Sequence, residues 1–215
     1  MIIKFTLTFQ FSFPGPGVCE RNIDLAFILD TSGSINKTEL DEAKKFVKDV
    51  AKTFKISPQK TQVALMVYSD KPRVVSKFGE IKSHAELRGE VDALPHIKGK
   101  TRIDLALKMA DTELFTWNGG MRLPASVAKV AIVITDGRQT PAPDEMRLDQ
   151  AAAPLLVRGV KVLSIGIGDN VDKSELNMMV DNPEEHAFWS HSYRELRAQL
   201  ATIARESCSR ETFAM

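Results

Sequence analysis

Five side chains offer oxygen donors at points where a folded chain can gather them. Asp30, Ser32 and Ser34 alternate in the stretch Asp30-Thr31-Ser32-Gly33-Ser34, so an extended turn aims their three side-chain oxygens at one place, with Gly33 allowing the bend. Thr101 stands in the mid-chain stretch Lys98-Gly99-Lys100-Thr101-Arg102, and Asp136 in Thr135-Asp136-Gly137. An all-oxygen set suits a hard cation. Mg2+ prefers six oxygens at about 2.1 Å and keeps some of its water, which fits few and mostly neutral protein ligands, and Mn2+ and Ca2+ are its substitutes among oxygen-seeking ions. Two carboxylates only balance a divalent charge. If Asp30 and Asp136 hold the ion through water while Ser32, Ser34 and Thr101 ligate it directly, the ion stays electrophilic, and a carboxylate from another molecule can take the open position. That is the chemistry of docking. Each fragment alone is also an ordinary helix cap or turn, and only their combination carries the metal reading.

The elements that must position these residues are legible as apolar runs. Leu25-Ala26-Phe27-Ile28-Leu29 is apolar at every residue, as in a strand covered on both faces, and Asp30 follows it directly. From Thr38 to Phe54, Leu40, Ala43, Phe46, Val47, Val50 and Phe54 recur at helical spacing, and Thr38 with Asp41 resembles a capping box. Residues 63–68 and 73–78 flank the turn Ser69-Asp70-Lys71-Pro72 and read as a hairpin with an antiparallel edge strand. Helical patterns follow around Leu87, Val91 and Leu94, then from Ile103 to Leu114 before Asn118-Gly119-Gly120. Strands are expected at 130–134, 160–167 and 187–189. Helices are expected at 144–157, where Pro154 should kink or end the element early, at 173–180, and in a closing segment with Tyr193, Leu196, Leu200 and Ile203 on one face. Strands alternating with helices give a doubly wound α/β fold. Its central sheet is mostly parallel with one short antiparallel edge strand, and helices cover both faces. Such sheets bind ligands beyond the carboxyl ends of their strands, which is where Asp30 and Asp136 fall.

Composition narrows the partners. Across 215 residues, 29 Lys and Arg oppose 28 Asp and Glu, so a net charge of +1 gives no footprint for nucleic acid or an anionic membrane surface. No apolar run reaches the roughly 20 residues needed for membrane insertion as a helix. Enzymatic alternatives lack parts. A phosphoryl-transfer enzyme with aspartates two residues apart needs a carboxylate where Ser32 stands, and Gly166-Ile167-Gly168 comes too late for a dinucleotide loop. A serine hydrolase would need a base for Ser32 or Ser34, and no Gly-x-Ser-x-Gly elbow accompanies His84, His96, His186 or His191. His186 and His191 read as packing or surface residues. Lys100, Arg102 and Arg138 read as a charged rim around the ion that tolerates acidic partners.

Cys19 and Cys208 enclose almost everything that patterns as a fold. Either they are two thiols of a reduced compartment, or they close a loop whose bridging stabilises by roughly 5 kcal/mol in the chain-entropy model. Asn36-Lys37-Thr38 is an N-glycosylation acceptor pattern, placing a candidate glycan on Asn36. Residues 2–13 alternate polar and apolar side chains at strand spacing before Pro14-Gly15-Pro16-Gly17, which suits a strand or upstream fragment better than a signal sequence.

Three segments together resemble a von Willebrand factor type A domain: Ile23 to Ile35, Val130 to Gly137 and Val160 to Gly168. The resemblance spans about Cys19 to Cys208 and implies a type A domain at 19–209, preceded by an N-terminal segment at 1–18 and followed by a tail at 210–215. It implies that the strands ending at Asp30 and Asp136 are neighbours, and that Asp30, Ser32, Ser34, Thr101 and Asp136 form a metal-ion-dependent adhesion site. The family loop reads Gly-Gly-Thr-x-Thr-Gly, whereas this chain has Gly99-Lys100-Thr101-Arg102-Ile103-Asp104. Cysteines flanking such a domain resemble the matrilin and fibrillar-associated collagen branch, which implies a Cys19–Cys208 bridge, secretion and a place in the extracellular matrix. The implied role is a non-enzymatic adhesion or matrix-assembly module whose partner is a matrix or cell-surface protein, collagen among them, presenting an Asp or Glu. An intracellular type A domain supporting complex assembly is the alternative within the family.

Overall fold

A computed structural model describes residues 18–208. The alternating segment at 2–13 and the tail at 210–215 lie outside the described residues. Eight-residue β1 (Ile23–Asp30) is buried throughout, as its unbroken apolar run requires. It lies parallel to β2 (Thr61–Tyr68) on one side and to β4 (Ala128–Thr135) on the other. β3 (Arg73–Ile81) pairs antiparallel with β2 at one edge and continues three residues past the expected Phe78. β5 (Val160–Ile167) and the four-residue β6 (Ala187–Ser190) extend the sheet to the other edge, giving the order β3-β2-β1-β4-β5-β6.

The strand side chains divide by parity between two cores. Leu25, Phe27 and Leu29 face one core with Phe46, Val50, Leu87, Tyr193, Leu196 and Ile203. These come from α1 (Lys37–Ala51), α2 (His84–Asp92), α7 (Tyr193–Leu196) and α8 (Leu200–Cys208). Ala26 and Ile28 face the other core with Ala106, Ala110, Leu148, Ala152 and Leu176. That layer comprises α3 (Ile103–Met109), α4 (Leu148–Val157) and α5 (Lys173–Met178). Ala26 pairs in register with Ala64 on β2 and with Ala131 on β4, so the centre of this sheet face is shallow and accepts the small-residue face of α3 and α4 closely. The short α6 (Pro183–His186) leads into β6. Among the described residues no helix is long and apolar enough to cross a membrane.

Several boundaries depart from the sequence reading. The capping box of α1 is Asn36 with Glu39, not Thr38 with Asp41: Asn36 Oδ1 accepts from Glu39 N–H and Glu39 accepts from Asn36 N–H. The expected helix at 144–157 begins only at Leu148. Pro154 does not end it: the ring is exposed and three more helical residues, to Val157, follow. The helix from Ile103 widens into a π-turn over Ala110–Leu114. The closing helix is α7, a 3-10 turn at Arg197–Gln199 and α8 in succession.

A disulfide joins Cys19 to Cys208 across 189 residues of sequence. Cys19 sits just before β1, bridged to Phe54 after α1. Cys208 ends α8, whose neighbouring Glu206 carbonyl accepts from Lys161 Nζ at the start of β5. The bridge therefore closes the end of the sheet opposite Asp30 and Thr135.

Candidate metal centre

β1 and β4 are adjacent, and the chain order runs outward from them in opposite directions, so the loops leaving Asp30 and Thr135 diverge. Asp30 is buried at 2% exposure, its Oδ1 accepting from Ser32 N–H (2.8 Å) and its Oδ2 from Thr135 Oγ1 (2.9 Å). The Ser32 and Ser34 hydroxyls lie 3.1 Å apart, and Ser34 Oγ donates to Asp136 Oδ1 at 3.0 Å. A Cβ placed on Gly137 would meet Ser34 Oγ at 3.7 Å and Thr101 Oγ1 at 3.9 Å, so both hydroxyls face the same small space over that glycine. The five residues expected to act together thus come from three loops to one spot.

Backbone hydrogen bonds hold the Thr101 loop. Lys98 N–H donates to Thr31 O, Gly33 N–H to Gly99 O and Lys100 N–H to Asp70 Oδ1, each at 2.8 Å. Arg102 N–H reaches Ser69 O, while Thr101 and Thr140 exchange two bonds. Gly99 adopts φ +104°, and a Cβ there would lie 2.4 Å from Asp70 Oδ2, so only glycine fits.

The electrostatics favour a cation. Burial, reinforced by the charge of Asp136, pushes the Asp30 carboxyl up to about 6 despite hydrogen bonds from Ser32 and Thr135. Burial likewise raises Asp136, and Glu39 adds to the effect. Among the described residues neither carboxylate has an ion-pair partner. Two partly desolvated carboxylates and three hydroxyls around one space fit a divalent, oxygen-seeking ion.

Some of what the site needs was not read from sequence. Thr135 joins Asp30 to the Asp136 turn, its Oγ1 also accepting from Gly137 N–H at 3.3 Å. Tyr68 lies beneath, fully buried, donating its hydroxyl to Ile134 O at 3.3 Å, and burial raises its phenol well above the ordinary range, so it stays neutral. The rim needs one correction: Arg102 is buried, not solvated. Its guanidinium grips Asp104 with two 2.9 Å bonds and Asp144 with a third at 3.0 Å. Lys100 and Arg138 are exposed as expected. Asn36 is exposed just past the ion loop, with its Oδ1 used by the helix cap.

His191 is exposed and bonded to Asp169, whereas His186 is buried, with Nδ1 2.7 Å from Asp181 Oδ1. Glu185, His186 and Glu206 bring one ligand atom each within 4.8 Å of one another. Cationic groups already accompany that cluster, since Arg205 pairs with Glu206 at 3.0 Å and Lys161 reaches the Glu206 carbonyl. Among the described residues, Asp30 and Asp136 have no such accompaniment.

Human matrilin-3 is 33% identical over 182 residues, 83% of this chain and 36% of that protein. Mouse collagen alpha-6(VI) chain is 31% identical over 192 residues, covering 89% of this chain and 8% of that one. Mouse integrin alpha-M is 30% identical over 184 residues, with 82% and 15% covered. The chain therefore spans only a fraction of each relative. Proximal thread matrix protein 1 from the mussel byssus shares the fold, with a TM-score of 0.82 at 24% identity over 88% of this chain and 48% of that one. A second structure of that protein, whose MIDAS motif is occupied by zinc, has a TM-score of 0.79 at 29% identity and covers 88% and 46%. Residues 24–202 match the sequence profile of the von Willebrand factor type A domain, running from β1 into α8, and the chain belongs to that family.

Proposed function

We propose that this chain is a non-enzymatic extracellular adhesion or matrix-assembly module. It captures an Asp or Glu side chain of a matrix or cell-surface protein, collagen among the candidates, through a divalent cation. The observation that carries the reading is the convergence of Ser32, Ser34, Thr101, Asp30 and Asp136 at the β1/β4 switch point with, among the described residues, no cationic side chain paired to either carboxylate. Ser32, Ser34 and Thr101 would hold the ion directly, with Asp30 and Asp136 in or behind its ligand set. The bound ion supplies a positive centre for an incoming carboxylate. The chain's own residues do the orienting: Thr135 and the Ser32 N–H fix Asp30, and the backbone bonds of residues 98–102 fix Thr101. Mg2+ fits the mostly neutral oxygen set. The disulfide supports an oxidising compartment and hence secretion. The relatives in matrilins and collagens, and the zinc-occupied motif of the mussel protein, support the same placement and a divalent ion. A glycan on Asn36 would use its side-chain nitrogen and leave the capping oxygen in place, standing beside the ion loop.

Calorimetric titration with Mg2+ tests the site. The parent is expected to bind one ion, and Ser32→Ala and Asp136→Ala to lose detectable binding while keeping the parent's circular dichroism. Binding that survives in both folded variants sinks the assignment.

A further inference from the structure

Beside the proposed ion site, a groove of about 340 Å3 opens between the chain after Asp136 and α5. Its apolar lining includes Met146 and Met178, 38% and 37% exposed and so uncovered by the rest of the fold. Its polar lining includes three carboxylates, each held by a peptide N–H: Glu175 by Gln139 at 2.8 Å, Asp172 by Ser174 at 2.8 Å and Glu145 by Ala142 at 3.0 Å. Arg147 also lines it, but its guanidinium is spent on Asp149 through two bonds. Arg138 is near enough to attract Asp172 and Glu175 without making an ion pair. The groove thus offers a thioether floor and fixed negative charge, the environment in which a long cationic side chain lays down its stem and satisfies its head. Burial pushes the Glu175 carboxyl up, a cost that an arriving cation relieves.

We propose that this groove takes a lysine or arginine side chain from the same partner segment that presents its carboxylate to the ion. The partner is then a short bipartite motif with an acidic and a basic residue. Gln139 is three residues from Asp136, so their Cα atoms are at most roughly 11 Å apart. An extended peptide advances about 3.3 Å per residue, which sets the acid and the base about two to four residues apart. The acidic half rests on the function proposed above; the basic half stands on the groove alone.

Two measurements separate the halves. In the first, the full chain with 13C-labelled methionine methyls is titrated in EDTA with N-acetyl-arginine-amide and with its neutral isostere N-acetyl-citrulline-amide. Arginine should shift the Met146 and Met178 methyls saturably and citrulline should not. Glu175→Gln should weaken the response about fivefold, and Ser32→Ala should leave it unchanged. Absence of an arginine response, or an equal response to citrulline, overturns the groove. In the second, a peptide with Asp and Arg separated by two glycines is titrated with Mg2+ present. It should bind at least about tenfold more tightly than a citrulline-for-Arg control or an Asn-for-Asp control, because the second contact becomes intramolecular. A citrulline control as tight as the parent peptide refutes the groove and leaves the ion reading standing. An Asn control as tight as the parent refutes the ion reading and leaves the groove standing.

Discussion

Thr135 spans from the last residue of β1 to the turn that carries Asp136, donating to Asp30 Oδ2 and accepting from Gly137 N–H. Replacing its hydroxyl by a methyl keeps the volume and removes the donor that orients Asp30. Thr135→Val is expected to lower Mg2+ affinity by roughly 10–100-fold, the usual effect of losing an outer hydrogen bond to a metal ligand, with near-ultraviolet dichroism unchanged. An affinity equal to the parent's would remove Thr135 from any positioning role. The proposed ligands were readable because alternation and strand ends are local properties of the chain. Thr135 sat within the quoted motif, but the direction of its hydrogen bond is a property of the fold. Tyr68 and Asp70 were unreadable for a related reason: they come from the end of β2, and only the order of strands brings that end beside β1.

At the loop-to-helix junction before α3, Asp104 stands where the family pattern has glycine, and Arg102, at that pattern's free position, answers it. Both side chains are buried, Arg102 at 8% and Asp104 at 1% exposure, with Asp104 also accepting from Met146 N–H. Arg102→Ala leaves a carboxylate buried without its cation and should cost about 3–5 kcal/mol in urea unfolding, while Arg102→Met with Asp104→Leu should recover most of it. A loss under about 1 kcal/mol for the single variant would show the pair to be dispensable. Burial acts to raise the Asp104 carboxyl, but the bonds from Arg102 and from the Met146 and Leu105 N–H groups outweigh it and hold the group below its ordinary value. A depressed carboxyl contributes stability above the unfolded-state pKa of about 4 and loses it as pH falls below that. The parent should therefore lose more stability between about pH 5 and pH 2 than Arg102→Ala does. Apolar runs made the strands legible, whereas helix starts were decided by caps. Two boxes compete before α1, and Asn36 wins because Ile35 and Leu40, both 3% exposed, then flank it as a hydrophobic staple. Lys37 and Glu42 would occupy those places if Thr38 were the cap.

Across the whole molecule, the alternation of elements implied a mostly parallel sheet and the family resemblance implied that β1 and β4 are neighbours, but the order of the other strands is a property of the fold, and the meeting of Cys19 and Cys208 depends on α8 returning to the start of the sheet. Cys19→Ser with Cys208→Ser should lower the unfolding free energy by roughly 4–5 kcal/mol if the unfolded-chain account of the bridge holds. A change under about 1 kcal/mol would mean that the fold holds those ends together unaided. The bridge also fastens the last turn of α8, so Mg2+ with an acidic peptide should alter hydrogen exchange at residues 200–208 little in the parent and more in the double variant. Equal changes in both would show that the tether does not restrain this helix.

The linked Cα atoms lie 6.2 Å apart on the side away from the loops that gather the five oxygens. Tension applied to the chain on either side of this pair travels through the sulfurs and bypasses the strands. In the matrix role proposed above, the unit under load would behave as a stiff bead that barely lengthens, the loops at its far end kept in shape until the covalent link itself is reduced.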